Sequence, residues 1–209
     1  MMSTIVDGGD LKGRLGGVGE LASGKSLKRL DKYAKAYISR SPFLCIGTAD
    51  ASGRADVSPR GDPPGFVRII DDETLIIPDR PGNNRADTML NIIANPNIGV
   101  LFMIPGIDDT VRVNGRAEII DDPAALAPAA VNSKAPKLGI RIKVDEVFFH
   151  CAKAFKRSKL WDPSTHEQRS FLPGLARIVM EQIRACEVAE AEAAPVEAEI
   201  QDEYRTKLY

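Results

Sequence analysis

The chain has 209 residues, 44% of them apolar, with 28 Lys and Arg against 29 Asp and Glu. That suits one globular core with short extensions, and it lacks the basic excess that binding to phosphate backbones requires, so nucleic acid is excluded as a partner. Cys45, Cys151, Cys186, His150 and His166 are too few and too scattered for a disulfide framework or a zinc site, while the absence of any run of about 18 apolar residues excludes a membrane span.

Met1 to Asp10 carries no apolar signal core, which makes the cytoplasm the expected compartment. Residues 1–25 are rich in Gly and charge and read as an extension that wraps a partner or stays mobile. From Ser26, the residues Leu27, Leu30, Ala34, Tyr37 and Ile38 recur at helical spacing up to Pro42, with Ser26 as the cap.

Strand signals follow. Phe43 to Ala49 is an apolar run closed by Asp50-Ala51-Ser52-Gly53, and a second extended piece lies at Ala55 to Ser58. Phe66 to Ile70 and Thr74 to Pro78 flank Asp71-Asp72-Glu73, and Asn97 to Ile104 and Thr110 to Asp121 flank Pro105-Gly106. Arg141 to Phe149 supplies a late strand, and helical segments are predicted at Asn84 to Ala94 and Pro123 to Val131. Strands joined by hairpins build an antiparallel barrel and exclude the parallel sheet of a βαβ nucleotide fold. From Gly174, Leu175, Ile178, Val179 and Ile183 predict a peripheral helix, which frays into the acidic, alanine-rich stretch Glu187 to Glu203.

The segment Ile77 to Pro96, IPDRPGNNRADTMLNIIANP, carries the chemistry. A strand end meets a Pro-Gly turn, two asparagines suited to capping, and a helix that Asn95-Pro96 terminates. The helix N-terminus favours an anion, and Arg80 and Arg85 add charges that grip phosphate oxygens in a fork. Arg60 (VSPRGD) and Arg112 (TVRVNG) would join them if the hairpins close into one barrel. For each arginine taken singly, an ion pair with a neighbouring Asp is an equally good reading, and Asn83 and Asn84 could be caps alone.

Two rival signals are weaker. Gly19 to Ser26 satisfies the G-x-x-x-x-G-K-[ST] phosphate-loop pattern, but Lys12 to Val18 is glycine-broken and charged where a buried strand is needed. His150 and Cys151 are adjacent and lack a third orienting group, which argues against thiol catalysis.

The pieces SPFLCIGTADASGRADVSPRGDPPGF, TLIIPDRPGNNRADTMLNIIANPNIGVLFMIPGIDDTVRVNGRAEI and CAKAFKRSKLW resemble the pyridoxamine 5'-phosphate oxidase-like family of FMN-binding split-barrel proteins, in its branch of FMN-dependent enzymes. The resemblance spans roughly residues 26–165. It implies a mainly β fold, a split antiparallel β-barrel with peripheral helices, as the central domain between extensions 1–25 and 166–209. It also implies a homodimer with flavin mononucleotide (FMN) near the subunit interface and a small-molecule substrate or reductant. By position, Asp56, Val57, Ser58 and Arg60 would run beside the flavin, and Pro78, Asp79, Arg80, Asn83, Asn84 and Arg85 would hold phosphate and ribityl. Asn84-Arg85 stands where the family has an Arg-Lys pair. Thr110 and Arg112 would reach the cofactor, and Arg157, Ser158 and Trp161 would reach the flavin of the other subunit, although packing alone also explains Trp161. The vitamin-forming oxidase's C-terminal Arg-His pair has no counterpart after Trp161, so pyridoxamine 5'-phosphate is not the expected substrate. The flavin carries the redox chemistry in such sites, which leaves two readings open, an FMN-dependent oxidoreductase and a non-enzymatic flavin-binding or storage protein.

Overall fold

The computed structural model describes residues 4–17, 19–82 and 84–209. Two short helices open it, α1 (Gly8–Leu15) and α2 (Glu20–Gly24), followed by α3 (Lys32–Ile38). Seven strands come next: β1 (Phe43–Ala49), β2 (Ala55–Gly61), β3 (Arg68–Ile69), β4 (Thr74–Pro78), β5 (Asn97–Ile104), β6 (Ile107–Ile120) and β7 (Gly139–His150). Helix α4 (Asp87–Ala94) lies between β4 and β5, and α5 (Pro123–Leu126) with a short 3-10 turn lies between β6 and β7. The chain continues through α6 (Lys153–Ser158), α7 (Leu175–Arg184) and α8 (Glu190–Thr206).

All strand pairs are antiparallel, in the order β2-β1-β5-β6-β7-β4-β3. Alternation decides which face is inside. Leu44 and Ile46, Val100 and Phe102, Val111 and Val113, Ile140 and Ile142, and Leu75 and Ile77 all point into one buried cluster. β1 and β4 are separated by three strands, so their shared core requires the sheet to curl on itself. The result is a split barrel, open between β2 and β3, with peripheral helices. A register shift between Asn114 and Gly115 bends the long β6–β7 ribbon. Leu30, Ala34, Tyr37 and Ile38 of the α3 region close one end of the core.

Three expectations need correction. The helix expected from Ser26 begins only at Lys32, as α3, capped by Asp31, whose carboxylate accepts from Tyr33 and Ala34 N–H. Leu27 instead exchanges backbone bonds with Val147, and the Ser26 hydroxyl donates to Glu146, so Ser26 caps nothing. The apolar spacing does mark a helical face from Ala34 on, with Ala34, Tyr37 and Ile38 buried along α3, while Leu27 belongs to a bridge to β7. Likewise, the acidic stretch does not fray. α8 runs for 17 residues despite Pro195 and packs on α7, where Glu197 accepts from the Ala176 N–H and so satisfies one of the donors left open at the start of α7. Asn84, one of the two caps expected before α4, is a left-handed turn residue instead, and the other, Asn83, lies outside the described residues. Among the described residues, no helix is long and apolar enough to cross a membrane.

Candidate functional site

The end of β4 and the turn after it pass beside the end of β2, and α4 rises next to both. Together they form an open cleft of about 420 Å³. Arg60, Asp79, Arg80, Asn84 and Arg85 line it, with Phe66 and Met89 as apolar walls. Residues separated by about 25 positions meet here because β2 and β4 lie on the two sides of the split.

Each arginine is held differently. Arg80 is tied down, its Nε donating to Asp62 at 2.6 Å and its Nη2 to the Ala129 carbonyl at 2.9 Å. Arg85 is exposed at the mouth and donates to Asp87 at 2.8 Å, a bond that raises its pKa above the ordinary value. Arg60 donates to the carbonyl of Pro59 at 2.7 Å. The ion-pair reading therefore holds for Arg80 and Arg85 as a structural fact, and the two still face the same cleft. Asp79 is half-buried. Burial pushes its carboxyl pKa up, against the opposing pull of the Arg60 and Arg80 charges and a backbone bond from Arg80.

The start of α4 differs from expectation. Ala86 precedes the helix in a left-handed conformation with φ 58°, and Asn84 is left-handed with φ 57°; among the described residues no side chain caps the helix. Such backbone costs about 1–3 kcal/mol per residue and persists only where its surroundings over-determine it. Asn84 is thus a turn residue, and Asn83 lies outside the described residues. Asp87 in the first turn already complements the positive helix end. The positive charge lining the cleft is therefore carried by the guanidinium groups of Arg60, Arg80 and Arg85 more than by bare helix N–H groups.

The strand expected beside a flavin leads into this cleft. Asp56, Ser58 and Arg60 alternate onto one face of β2, and the Ser58 hydroxyl donates to Asp56 at 3.3 Å. Asp56 also accepts from Thr88 of α4 at 3.5 Å. Val57 points the other way and is 70% exposed. Pro78 completes the cleft wall.

Arg112 does not join that group. It lies on the outer side of β6–β7, bonded to Glu146 at 3.1 Å and stacked over the Phe148 ring at 4.1 Å. Its Nε is buried with no hydrogen-bond partner among the described residues. Glu146 gathers Ser26, Arg112 and Asn114, and those bonds, Ser26 first, hold its carboxyl below the ordinary range. Thr110 is buried opposite His150 in β7. Trp161 stacks on Phe155 and donates to the Ile107 carbonyl at 3.1 Å, while Ser158 bonds within α6 and Arg157 is exposed. The sequence-predicted residues therefore fall into two groups on separate surfaces of one chain, because adjacent positions on a strand ladder need not share a face.

The phosphate-loop pattern loses both its key groups to other bonds. Lys25 donates to the Phe149 carbonyl at 3.0 Å, Ser26 donates to Glu146, and helix α1, not a strand, precedes the segment. Asp62 and Tyr209 were not foreseen. The Tyr209 hydroxyl donates to Asp62 at 2.6 Å, a contact across 147 positions that no local signal announces. Among the described residues no group of His, Cys, Asp and Glu could hold a metal ion.

Comparison with known proteins bears on this geometry. The family model described as pyridoxamine 5'-phosphate oxidase matches residues 30–151, more than half of the chain. No curated protein matches. Among solved structures, HupZ of Group A Streptococcus is 26% identical, with 57% of this chain and 93% of that one covered and a TM-score of 0.48. General stress protein 26 of Bacillus anthracis is 18% identical over 55% and 88%, with a TM-score of 0.44. An FMN-binding protein of Syntrophomonas wolfei is 16% identical over 55% and 78%, with a TM-score of 0.41. The matched segment begins at the residues that close the core before α3 and ends just after β7, so it takes in the whole barrel and its cleft, and the chain belongs to the pyridoxamine 5'-phosphate oxidase family of split-barrel proteins.

Proposed function

We propose that the cleft binds FMN and that the protein is an FMN-dependent oxidoreductase acting, as a homodimer, on a small molecule. The observation that carries this reading is the meeting of Arg60, Arg80, Asn84 and Arg85 in one cleft. The donor set suits a phosphate monoester, because guanidinium forks supply paired N–H donors. On this reading residues 26–165 form the cofactor-binding domain, with 1–25 and 166–209 as extensions.

When bound, the flavin supplies hydride or electron transfer. The chain's own residues bind and orient. Arg85 and Arg60 neutralise phosphate charge, Arg80 sets the cleft wall through its bond to Asp62, and Asp56 and Ser58 offer hydrogen bonds along β2. Thr110, Arg112, Arg157, Ser158 and Trp161 lie away from the cleft of their own chain. A site built from two copies would let those residues of the partner subunit complete it and would couple cofactor occupancy to dimer stability.

The test is the absorption spectrum of the purified protein and the identity of any chromophore released by heat. Oxidised-flavin bands with FMN in the released fraction support the reading, and bleaching by NADH or NADPH then favours an oxidoreductase over a storage protein. A colourless protein that fails to take up added FMN sinks it.

A further inference from the structure

A second cavity, of about 590 Å³, lies on the other side of the cleft's own wall. The two share Asp79, Arg80, Pro81 and Asn84. Beyond that wall the lining is of a different kind: Lys134 and Lys137 bring two cations, and Pro136 and Tyr209 bring flat apolar surface. Neither lysine forms an ion pair or a side-chain hydrogen bond with a described residue, although other lysines of this chain, such as Lys156 and Lys207, do pair. With Arg80 in the shared wall, these two ammonium groups outnumber the one side-chain carboxylate lining the cavity, that of Asp79, and so favour an anion there.

The loop that carries them is built, not slack. Val131 and Lys134 exchange both backbone bonds, at 3.0 and 2.9 Å, around Asn132 and Ser133. Those two residues have φ 50° and 62°, the mirror-image turn that closes a two-residue hairpin and that non-glycine residues enter only at a cost. Opposite the loop, Tyr209 is fixed by its hydroxyl on Asp62, and its ring lies 5.6 Å from the Arg80 guanidinium. The aromatic wall and the cationic wall therefore stand on supports that Arg80 links to the first cleft.

We propose that the second cavity is a subsite for an aromatic nucleoside monophosphate group, seated next to the flavin phosphate. The phosphate faces Lys134 and Lys137, and the base lies among Tyr209 and Pro136. This inference rests on the flavin reading above. The same chemistry has two sources, the adenylate half of a flavin dinucleotide spanning both cavities, or a separate nucleotide beside FMN.

The experiment compares FMN and FAD by flavin-fluorescence titration, then titrates AMP into the FMN-loaded protein, for the natural chain and for the Lys134→Ala, Lys137→Ala double variant. Both lysines are exposed, so the variant should fold. FAD bound about tenfold more tightly than FMN, with that advantage lost in the variant while FMN affinity is unchanged, identifies the covalent source. FAD no tighter than FMN, with AMP bound to the FMN-loaded protein and weakened about tenfold in the variant, identifies the separate nucleotide. The proposal is overturned if FAD has no advantage and AMP does not bind, or if either effect survives in the variant. If neither flavin binds, the cofactor reading has failed, and AMP titrated into the flavin-free protein decides the subsite by the same lysine dependence.

Discussion

The Nε of Arg80 donates to the Asp62 carboxylate at 2.6 Å, with 17% of the Arg80 side chain and 2% of the Asp62 side chain exposed. A carboxylate so deeply buried is tolerable only with its partners in place, here Arg80 and the Tyr209 hydroxyl. Arg80→Ala should therefore destabilise the fold by about 3–5 kcal/mol, the range for stranding one member of a buried pair. Replacing Asp62 with Asn as well should recover part of that loss. Urea denaturation of the two variants checks this, and a single Arg80→Ala protein as stable as the natural chain would remove the pair from the core's support.

Arg85 makes the opposite prediction. Its guanidinium is exposed and its partner Asp87 is half-exposed, so their ion pair contributes little. Arg85→Ala should leave stability within about 0.5 kcal/mol, yet weaken FMN binding by about 1.5–3 kcal/mol, the range for hydrogen bonds to charged groups. Unchanged FMN affinity would take Arg85 out of the site. The two arginines, five positions apart, thus separate a positioning role from a binding role.

What could be read in the sequence and what could not divides along the range of the interaction. β1, β4 and β5 stand at the expected bounds because alternation and turn residues are local signals. The meeting of Arg60 with Arg80 and Arg85 was legible only through barrel closure. Arg112 was misplaced because closure does not say which face of β6 a side chain takes, and that face carries Glu146 and Phe148. Asp62 and Tyr209 were missed because their pairing spans most of the chain. Ala86 was missed because nothing about alanine signals a left-handed residue before a helix.

Asp79 places a carboxyl among the cleft's arginines, and burial raises its pKa. A bound anion repels its charged form and raises the pKa further. Anion affinity should therefore increase as pH falls toward the range where Asp79 takes up its proton. The stability sign is the same: an acid whose pKa is raised by folding favours the fold as pH falls through the raised value, and loses that contribution as pH rises past it. Sulfate, which does not titrate there, is a suitable probe. Asp79→Asn should bind sulfate more tightly at neutral pH and lose the acid-side increase. A variant that binds more weakly would mean that Asp79 itself holds the ligand.

His150 is the last residue of β7 and feels two cations, Arg112 and Lys25. Burial lowers its pKa first, and Arg112 and Lys25 lower it further. A base depressed in the folded state binds fewer protons there than in the unfolded chain. Its contribution to stability is present above the unfolded pKa of about 6.5 and is lost as pH falls from there through the depressed value. His150→Gln should flatten stability against pH across that window. An unchanged slope in urea midpoints measured from neutral to mildly acid pH would assign the titration elsewhere.

Gly115 is the glycine of the barrel strands with the least room for a side chain. A Cβ built there would stand 2.1 Å from the Lys143 carbonyl oxygen and 3.0 Å from its carbon, both backbone atoms of the paired strand. The constraint is space and not conformation, in contrast to Gly53, whose φ of 85° sits in an open turn with nothing within 4 Å. Gly115→Ala must push β6 from β7 at the bulge that bends the ribbon. The expected cost is about 1–3 kcal/mol, the range for overpacking a close-packed interior, and it should appear as a lower urea midpoint at unchanged slope. Because the same ribbon carries Thr110 and Arg112 just beyond the bulge, the variant should also shift the environment of Phe148, readable in the near-ultraviolet dichroism. A midpoint equal to that of the natural chain would mean that the two strands do not approach as closely as the bulge requires.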